Sequence, residues 1–345
     1  MAKREINKYK NKTVLGLLVI LVLGLLLCSI SYSDISTKYL DKRVVYFLDN
    51  LFAQVPFTPK TSRQILVRAT AVNKNLTSYK IDSELKVGTE KLKFVDIKMV
   101  GSVLNPGTEQ SQSQLTTKGQ ILFPISATFD FETAASGKNI FFKVSKGVNL
   151  QGFTTSNLKG WYQLDSVEME KDLKVDLRGE SEITKDISKE LQAYFDQSLS
   201  QDLKRKEISR DKKTYFEIET KLKGDYLTKI FFPNLKDKDS EVTLLIEKDS
   251  YFLSELKLEA VDKSQTKLSL DYKINSQNQK FELSEPKGAK KINNPVELYL
   301  LLTSGEKPST QDLLNALGGE VKEVDTSLLT IERLTKVMLL LPKAF

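Results

Sequence analysis

The sequence predicts an α+β protein: an N-terminal transmembrane helix, then a strongly curved antiparallel sheet, a half-barrel of about 11 strands with helices on its concave face, and a C-terminal helical extension. Three observations lead there. Residues 13–33 carry no charge. From Ser78 onward the apolar residues recur with period two in two long runs separated by a helix-like stretch. The 345-residue chain holds a single cysteine, Cys28, so no disulfide framework staples the fold and a hydrophobic core must hold it.

The first 12 residues, MAKREINKYKNK, carry Lys3, Arg4, Lys8, Lys10 and Lys12 against Glu5 alone. Most of the formal charge of +7 therefore sits in this tail, and the remainder of the chain is close to balanced. The run TVLGLLVILVLGLLLCSISYS comes next, and as a helix it is roughly 31 Å long, matching a bilayer core of about 30 Å. Lysine-rich flanks stay cytoplasmic. The expected topology is a single pass through the cytoplasmic membrane, with the N-terminus inside and residues 34–345 on the extracytoplasmic face. A cleaved signal peptide is the rival reading, because Ser29, Ser31 and Ser33 are small residues of the kind a signal peptidase accepts. The apolar core from Val14 to Ile30 exceeds a usual h-region, which favours an uncleaved signal-anchor. Leu27 stands where a lipobox wants a small residue, so Cys28 reads as an apolar residue of the span rather than a lipidation site.

Just beyond the span, Leu40, Val44, Phe47, Leu48 and Leu51 recur at helical spacing, predicting an amphipathic juxtamembrane helix from Ser36 to about Ala53. Its apolar face is offered either to the headgroups or to the domain. In TSRQILVRATAVNKN, Ile65, Leu66, Ala69 and Val72 share one face of a second helix that Thr61 or Ser62 can cap. In YKIDSELKV, Tyr79, Ile81, Leu85 and Val87 alternate with polar residues. In QILFPISATFDFET, Ile121, Phe123, Ile125, Ala127, Phe129 and Phe131 oppose Ser126, Thr128, Asp130 and Glu132. NIFFKVS continues with Ile140, Phe142 and Val144. Turns are expected at Val87-Gly88-Thr89, Asn105-Pro106-Gly107 and Ser136-Gly137-Lys138, giving a meander of six or so strands that ends at Gly160-Trp161-Tyr162.

Residues 165–184 are polar, and a third helix is expected in ITKDISKELQAYFDQSLSQDL. Strands then resume as TYFEIETKL, YLTKIFF, EVTLLIEK, YFLSELKLEAV, TKLSLDYKI and QKFELSEP. The last part holds three short helical candidates, PVELYLLL, STQDLLNALG and SLLTIERLTKVMLLLP, none long enough for a second span.

No histidine is present, which excludes Ser-His-Asp, Cys-His and histidine-based metal sites. No phosphate loop, dinucleotide fingerprint or GxSxG elbow occurs. Glu217 with Glu219 and Glu255 with Glu259 alternate with lysines on a polar strand face, as a solvated surface would. We expect no enzyme, no catalytic residue, no cofactor and no metal. KRKEISRDKK, residues 204–213, reads as a solvated loop with the capacity to contact anionic headgroups or an anionic envelope polymer; nucleic acid is not an expected partner outside the membrane, and no aromatic residues interleave with its lysines.

Several stretches make the chain resemble the LolA-like superfamily of envelope lipid and lipoprotein carriers, and within it the LppX/LprG-type half-barrels. They are the early helix running into AVNKNLTSYKIDSELKV, then GQILFPISATFDF, NIFFKVS, LKGWYQLD, EKDSYFLSELKLEAV and TKLSLDYKINSQNQKFELSEPKGA, and the resemblance spans roughly residues 60–290. The resemblance implies an eleven-stranded curved sheet closed by helices around an apolar cavity for acyl chains, in a carrier or binder rather than an enzyme. Two departures stand out: a helical anchor in place of a lipidated cysteine, and a C-terminal addition of residues 291–345.

The expected organisation is a cytoplasmic tail (1–12), a signal-anchor helix (13–33), a juxtamembrane helix and linker (34–59), a LolA-like domain (60–290) and a helical extension (291–345). The cavity would be lined by Phe123, Ile125, Phe129, Phe131, Ile140, Phe142, Phe216, Ile218, Leu222, Leu268 and Leu270. A lipid or lipid-linked molecule is the expected ligand. The alternative is a structural or protein-interaction module of the cell envelope, with the same residues as a filled core and another envelope protein as partner.

Overall fold

In the computed structural model the described residues are 42–55, 58–106, 108, 110–122, 127–146, 149, 150, 153, 154, 158, 160–165, 167, 203–222, 240–261, 265–293, 297 and 301. The expected span at 13–33, the third helix, the strand YLTKIFF and nearly all of the C-terminal helices lie outside them. Among the described residues no helix is long and apolar enough to cross a membrane. The chain divides into two compact units, residues 1–71 and 72–345.

In the first unit, helix α1 covers Lys42–Gln54 and helix α2 begins at Ser62 and runs to Asn73. Thr61 caps α2: its Oγ1 accepts from the Gln64 amide at 3.2 Å, while the Thr61 amide donates to Gln64 Oε1 at 3.2 Å. This reciprocal pair satisfies two amides that the helix itself leaves unpaired. The far end of α1 is closed by cations. Lys60 Nζ donates to Phe52 O at 2.7 Å and also to Val55 O, and Arg68 Nη1 donates to Ala53 O at 3.2 Å. Positive groups belong there, because the last carbonyls of a helix are unpaired and carry its negative dipole end. Burial, and then the Arg68 charge, hold the Lys60 ammonium below the ordinary lysine range. Arg63 joins α2 to α1 through Asp49, Nε to Oδ2 at 3.0 Å.

The second unit is a curved, open sheet of 12 strands. Five strands, β1 (Ser78–Gly88), β2 (Lys93–Leu104), β3 (Gln112–Ile121), β4 (Ala127–Ser136) and β5 (Asn139–Lys146), form a meander that β8 (Tyr162–Asp165) extends. Between β5 and β8, β6 (Asn149–Leu150) and β7 (Phe153–Thr154) make a separate two-residue pairing. The other five, β9 (Lys204–Arg210), β10 (Lys213–Leu222), β11 (Ser240–Glu247), β12 (Leu253–Val261) and β13 (Lys267–Asn275), form a second meander. The two are joined where β13 pairs antiparallel with β1. The last strand, β14 (Lys290–Ile292), lies parallel to β8 and forms one edge; β9 forms the other.

Turn residues confirm the hairpins. Ser136 pairs with Asn139 across Gly137, whose φ is +54°. Arg210 pairs with Lys213 across Asp211 and Lys212, both at positive φ, as a two-residue primed turn requires.

Two expectations are corrected. The basic segment 204–213 is not a loop; it is the edge strand β9 and its turn into β10. Its exposed lysines and arginines answer the edge-strand problem, since a charged row resists pairing with another sheet. The stretch QKFELSEP is not a strand. β13 already has β12 on one side and β1 on the other, so the chain leaving it has no free edge to join. It crosses the charged face of the sheet as a strap. Asn278 N donates to Ser78 O at 2.8 Å, Ser78 Oγ donates to Gln279 O at 2.7 Å, and the Lys80 ammonium lies 5.7 Å from the centre of the Phe281 ring. Leu283, Ser284 and Glu285 then meet Gln114, Ala134 and Phe141 around a shallow crevice. The strap ends in β14, and among the described residues the main sheet has 12 strands, in keeping with the expected 11 or so.

Candidate functional site

Directly opposed residues of an antiparallel sheet point to the same face, so the register fixes which side chains stand together. One row runs Ile218, Leu244, Leu256, Tyr272, Ser83, Met99, Thr117, Phe131, Val144 across nine strands from β10 to β5. A neighbouring row runs Thr220, Val242, Leu258, Leu270, Leu85, Ile97, Gly119, Phe129. Neither row contains a charge. On the opposite face the same strands carry paired charges: Lys143 with Glu132, Lys118 with Asp130, Lys213 with Glu247 and Lys267 with Glu259. Exposed pairs of this kind contribute roughly 0–1 kcal/mol each; the apolar face carries the stability.

Of the expected lining residues, the register places Phe129, Phe131, Ile140, Phe142, Phe216, Ile218, Leu268 and Leu270 on this one apolar face. Leu222 has the backbone register of that face, opposite Ser240; its side chain, and all of Phe123 and Ile125, lie outside the described set. The degree of burial divides them. Phe129, Phe216, Ile218, Leu268 and Leu270 are buried, whereas Phe131, Ile140 and Phe142 are partly exposed. Phe129 and Phe131 stack at 5.5 Å. The Phe129 ring occupies the space over Gly119, where a Cβ would come within 2.6 Å of it, so glycine is what lets that ring lie flat on the sheet.

At the β8 edge, Ile140, Phe142 and Val144 pack against a buried cluster of Leu158, Tyr162, Leu164, Ile292 and Leu301. Phe142 and Tyr162 stack at 5.7 Å. Trp161 immediately precedes β8, and its carbonyl accepts from Lys290 N at 2.9 Å, which places it at the strand end expected from the sequence.

Three further buried residues are of note: the alternation of β13 already puts Tyr272 on the apolar face, whereas the sequence reading missed Phe141 and Ala134. Tyr272 stands at the centre of the first row and is fully buried; among the described residues no partner reaches its hydroxyl. Burial, and then its neighbour Tyr79, push this phenol well above the ordinary tyrosine range; burial does the same to Tyr79. Both phenols therefore stay neutral and available as donors at physiological pH. Phe141 is buried on the charged face beside the strap, as is Ala134. The adjacent pair Phe141 and Phe142 was the signal in the sequence, since period two puts one of them on each face and predicts cover for both.

No protein-family model matches the chain, and neither does any curated protein. Among solved structures, the chain is similar to LprF from Mycobacterium bovis, at 12% identity and a TM-score of 0.38, over 66% of this chain and 97% of that one. It is also similar to the lipoprotein LppX from Mycobacterium tuberculosis, at 13% identity and a TM-score of 0.37, over 65% and 100%. A LolA superfamily protein from Nitrosomonas europaea matches at 11% identity and a TM-score of 0.19, over 65% and 96%.

Proposed function

We propose that the protein is a membrane-anchored, extracytoplasmic binding protein that holds a lipid or lipid-linked molecule in an apolar cavity between the curved sheet and helices on its concave face. The anchor in this reading is the uncleaved span at residues 13–33, with residues 34–345 outside. One observation carries the binding role: an uncharged face continuous over nine strands, buried along most of its length but only partly so where Phe131, Ile140 and Phe142 lie. Acyl chains gain about 0.8 kcal/mol per buried methylene on such a surface, and no proton-transfer group is needed. Among the described residues, the buried hydroxyls of Tyr272 and Thr220 on that face have no hydrogen-bond partner.

A second reading is favoured by the cluster at the β8 edge. There Phe142 is stacked on Tyr162 and Ile140 is packed among buried side chains, as in a filled core. In that case the protein is a structural or interaction module of the envelope. Native mass spectrometry of the full chain after gentle extraction separates the two. Co-purifying lipid at defined stoichiometry is expected for the binding protein; ligand-free protein with no room for an acyl chain would leave the envelope module.

A further inference from the structure

Helix α1 carries more apolar surface than its own unit buries. At 100° per residue the apolar arc runs continuously from Phe47 past Leu51, Val44 and Val55 to Leu48 and Phe52. Only the second part of that arc is covered: Leu48 and Phe52 are buried, while Phe47 is 64% exposed, Leu51 47% and Val44 44%. Val55, one residue past the helix, continues the exposed stripe at 36%. Among the described residues the other exposed large apolar side chains, Leu92, Val100, Leu122 and Val167, share no helix face.

The chain that precedes α1 indicates what covers this stripe. The uncharged run ends at Ser33, and only residues 34–41 separate it from Lys42. Fully extended, that connection spans at most about 28 Å, so a bilayer entered at Ser33 lies within reach of α1. Tyr32 and Tyr39 lie in or beside the connection, and residues of this type are enriched at headgroup level. We propose that Val44, Phe47, Leu51 and Val55 form a membrane-docking face that lays α1 in the interface of the bilayer from which the chain emerges. This rests on the anchor proposed above and deepens it: the span tethers the chain, and α1 holds its own unit against the lipid surface. An interfacial helix buries its apolar face about 5–10 Å below the headgroups, a depth within reach of side chains the size of Phe47 and Leu51.

The test uses the full chain, with Cys28→Ala to remove the sole cysteine, reconstituted in vesicles of phosphatidylcholine and phosphatidylglycerol. An environment-sensitive nitrobenzoxadiazole label is placed through Phe47→Cys or, as a control on the charged sheet face, Lys221→Cys. Carbonate extraction of the same samples reads the anchor independently. The expected result is a blue-shifted label at position 47 that loses most of its emission to doxyl lipids, more to a shallow doxyl group than to a deep one, while the label at 221 is unaffected. Carbonate resistance with an unquenched label at 47 overturns the docking face and leaves the anchor standing. A label that is blue-shifted but unquenched overturns it too, because protein then covers the stripe. Carbonate release with a quenched label supports the docking face and removes the anchor; release with an unquenched label overturns both.

Discussion

The two meanders of the sheet follow the same pairing rule and present the same uncharged face, yet they bury it to different extents. In the β9–β13 meander Ile218, Leu244, Leu256 and Tyr272 are all within 2% of complete burial. Along the same row in the other meander, Met99 and Thr117 are buried, but Phe131 and Val144 are only partly so. One half is therefore sealed along this row, while the other leaves Phe131 and Val144 only partly covered.

The largest effect that would break this comparison is in the sealed half. Ile218→Ala should cost about 2–5 kcal/mol, the range for deleting buried methyl groups without collapse. Phe131→Ala should cost about 1 kcal/mol, because partial burial engages only part of the ~1.5–3 kcal/mol available from a fully buried Phe. Denaturant unfolding of the full chain in detergent reads both. Equal losses would erase the distinction, whereas a small loss at Phe131 with less co-purifying lipid would sharpen it.

An intermediate effect is expected where the second row crosses β3 at Gly119. Gly119→Ala puts a Cβ 2.6 Å from the Phe129 ring and 3.0 Å from the Asp96 carbonyl, so the ring must leave the sheet surface. We expect a loss of about 1–3 kcal/mol from overpacking. Combining Gly119→Ala with Phe129→Leu should recover part of it, measured as a coupling energy in a double-mutant cycle. Strict additivity would show that the close approach is not what the glycine serves.

The smallest effect lies on the charged face of the sealed half. Burial raises the Glu247 carboxyl, but hydrogen bonds from Lys213 and Ser250 outweigh it and hold the group below the ordinary carboxylate range. A depressed folded value means the stabilisation is fully present above the unfolded carboxylate range and is lost as pH falls through the folded value. Glu247→Gln should thus cost about 0.5 kcal/mol at neutral pH, allowing for solvent screening, and flatten part of the acid limb of a thermal-midpoint profile. An unchanged acid limb would mean that this pair contributes nothing.

Most of the sheet was legible because strand alternation is a local property. Tyr79, Ile81, Leu85 and Val87 are buried as their spacing requires, and so are Leu268, Leu270, Tyr272 and Ile274. The Thr61 cap, the Gly137 turn and the one-sided placement of the apolar strand residues were readable for the same reason: each depends on a few consecutive residues. The charge-free run at 13–33, the basic tail and the absence of histidine are likewise properties of sequence alone. Pairing partners are not. QKFELSEP alternates like a strand, but both sides of β13 are already occupied, so the segment became a strap, and Phe141 found its cover there. KRKEISRDKK has too many charges for a buried strand, yet an edge strand needs only one partner and gains from repelling a second. Sequence determined which residues are extended and which side of each strand is apolar, because those properties arise from backbone alternation. Only the tertiary structure decided which edges were free and how deeply each row was sealed, because those depend on what the rest of the chain had already covered.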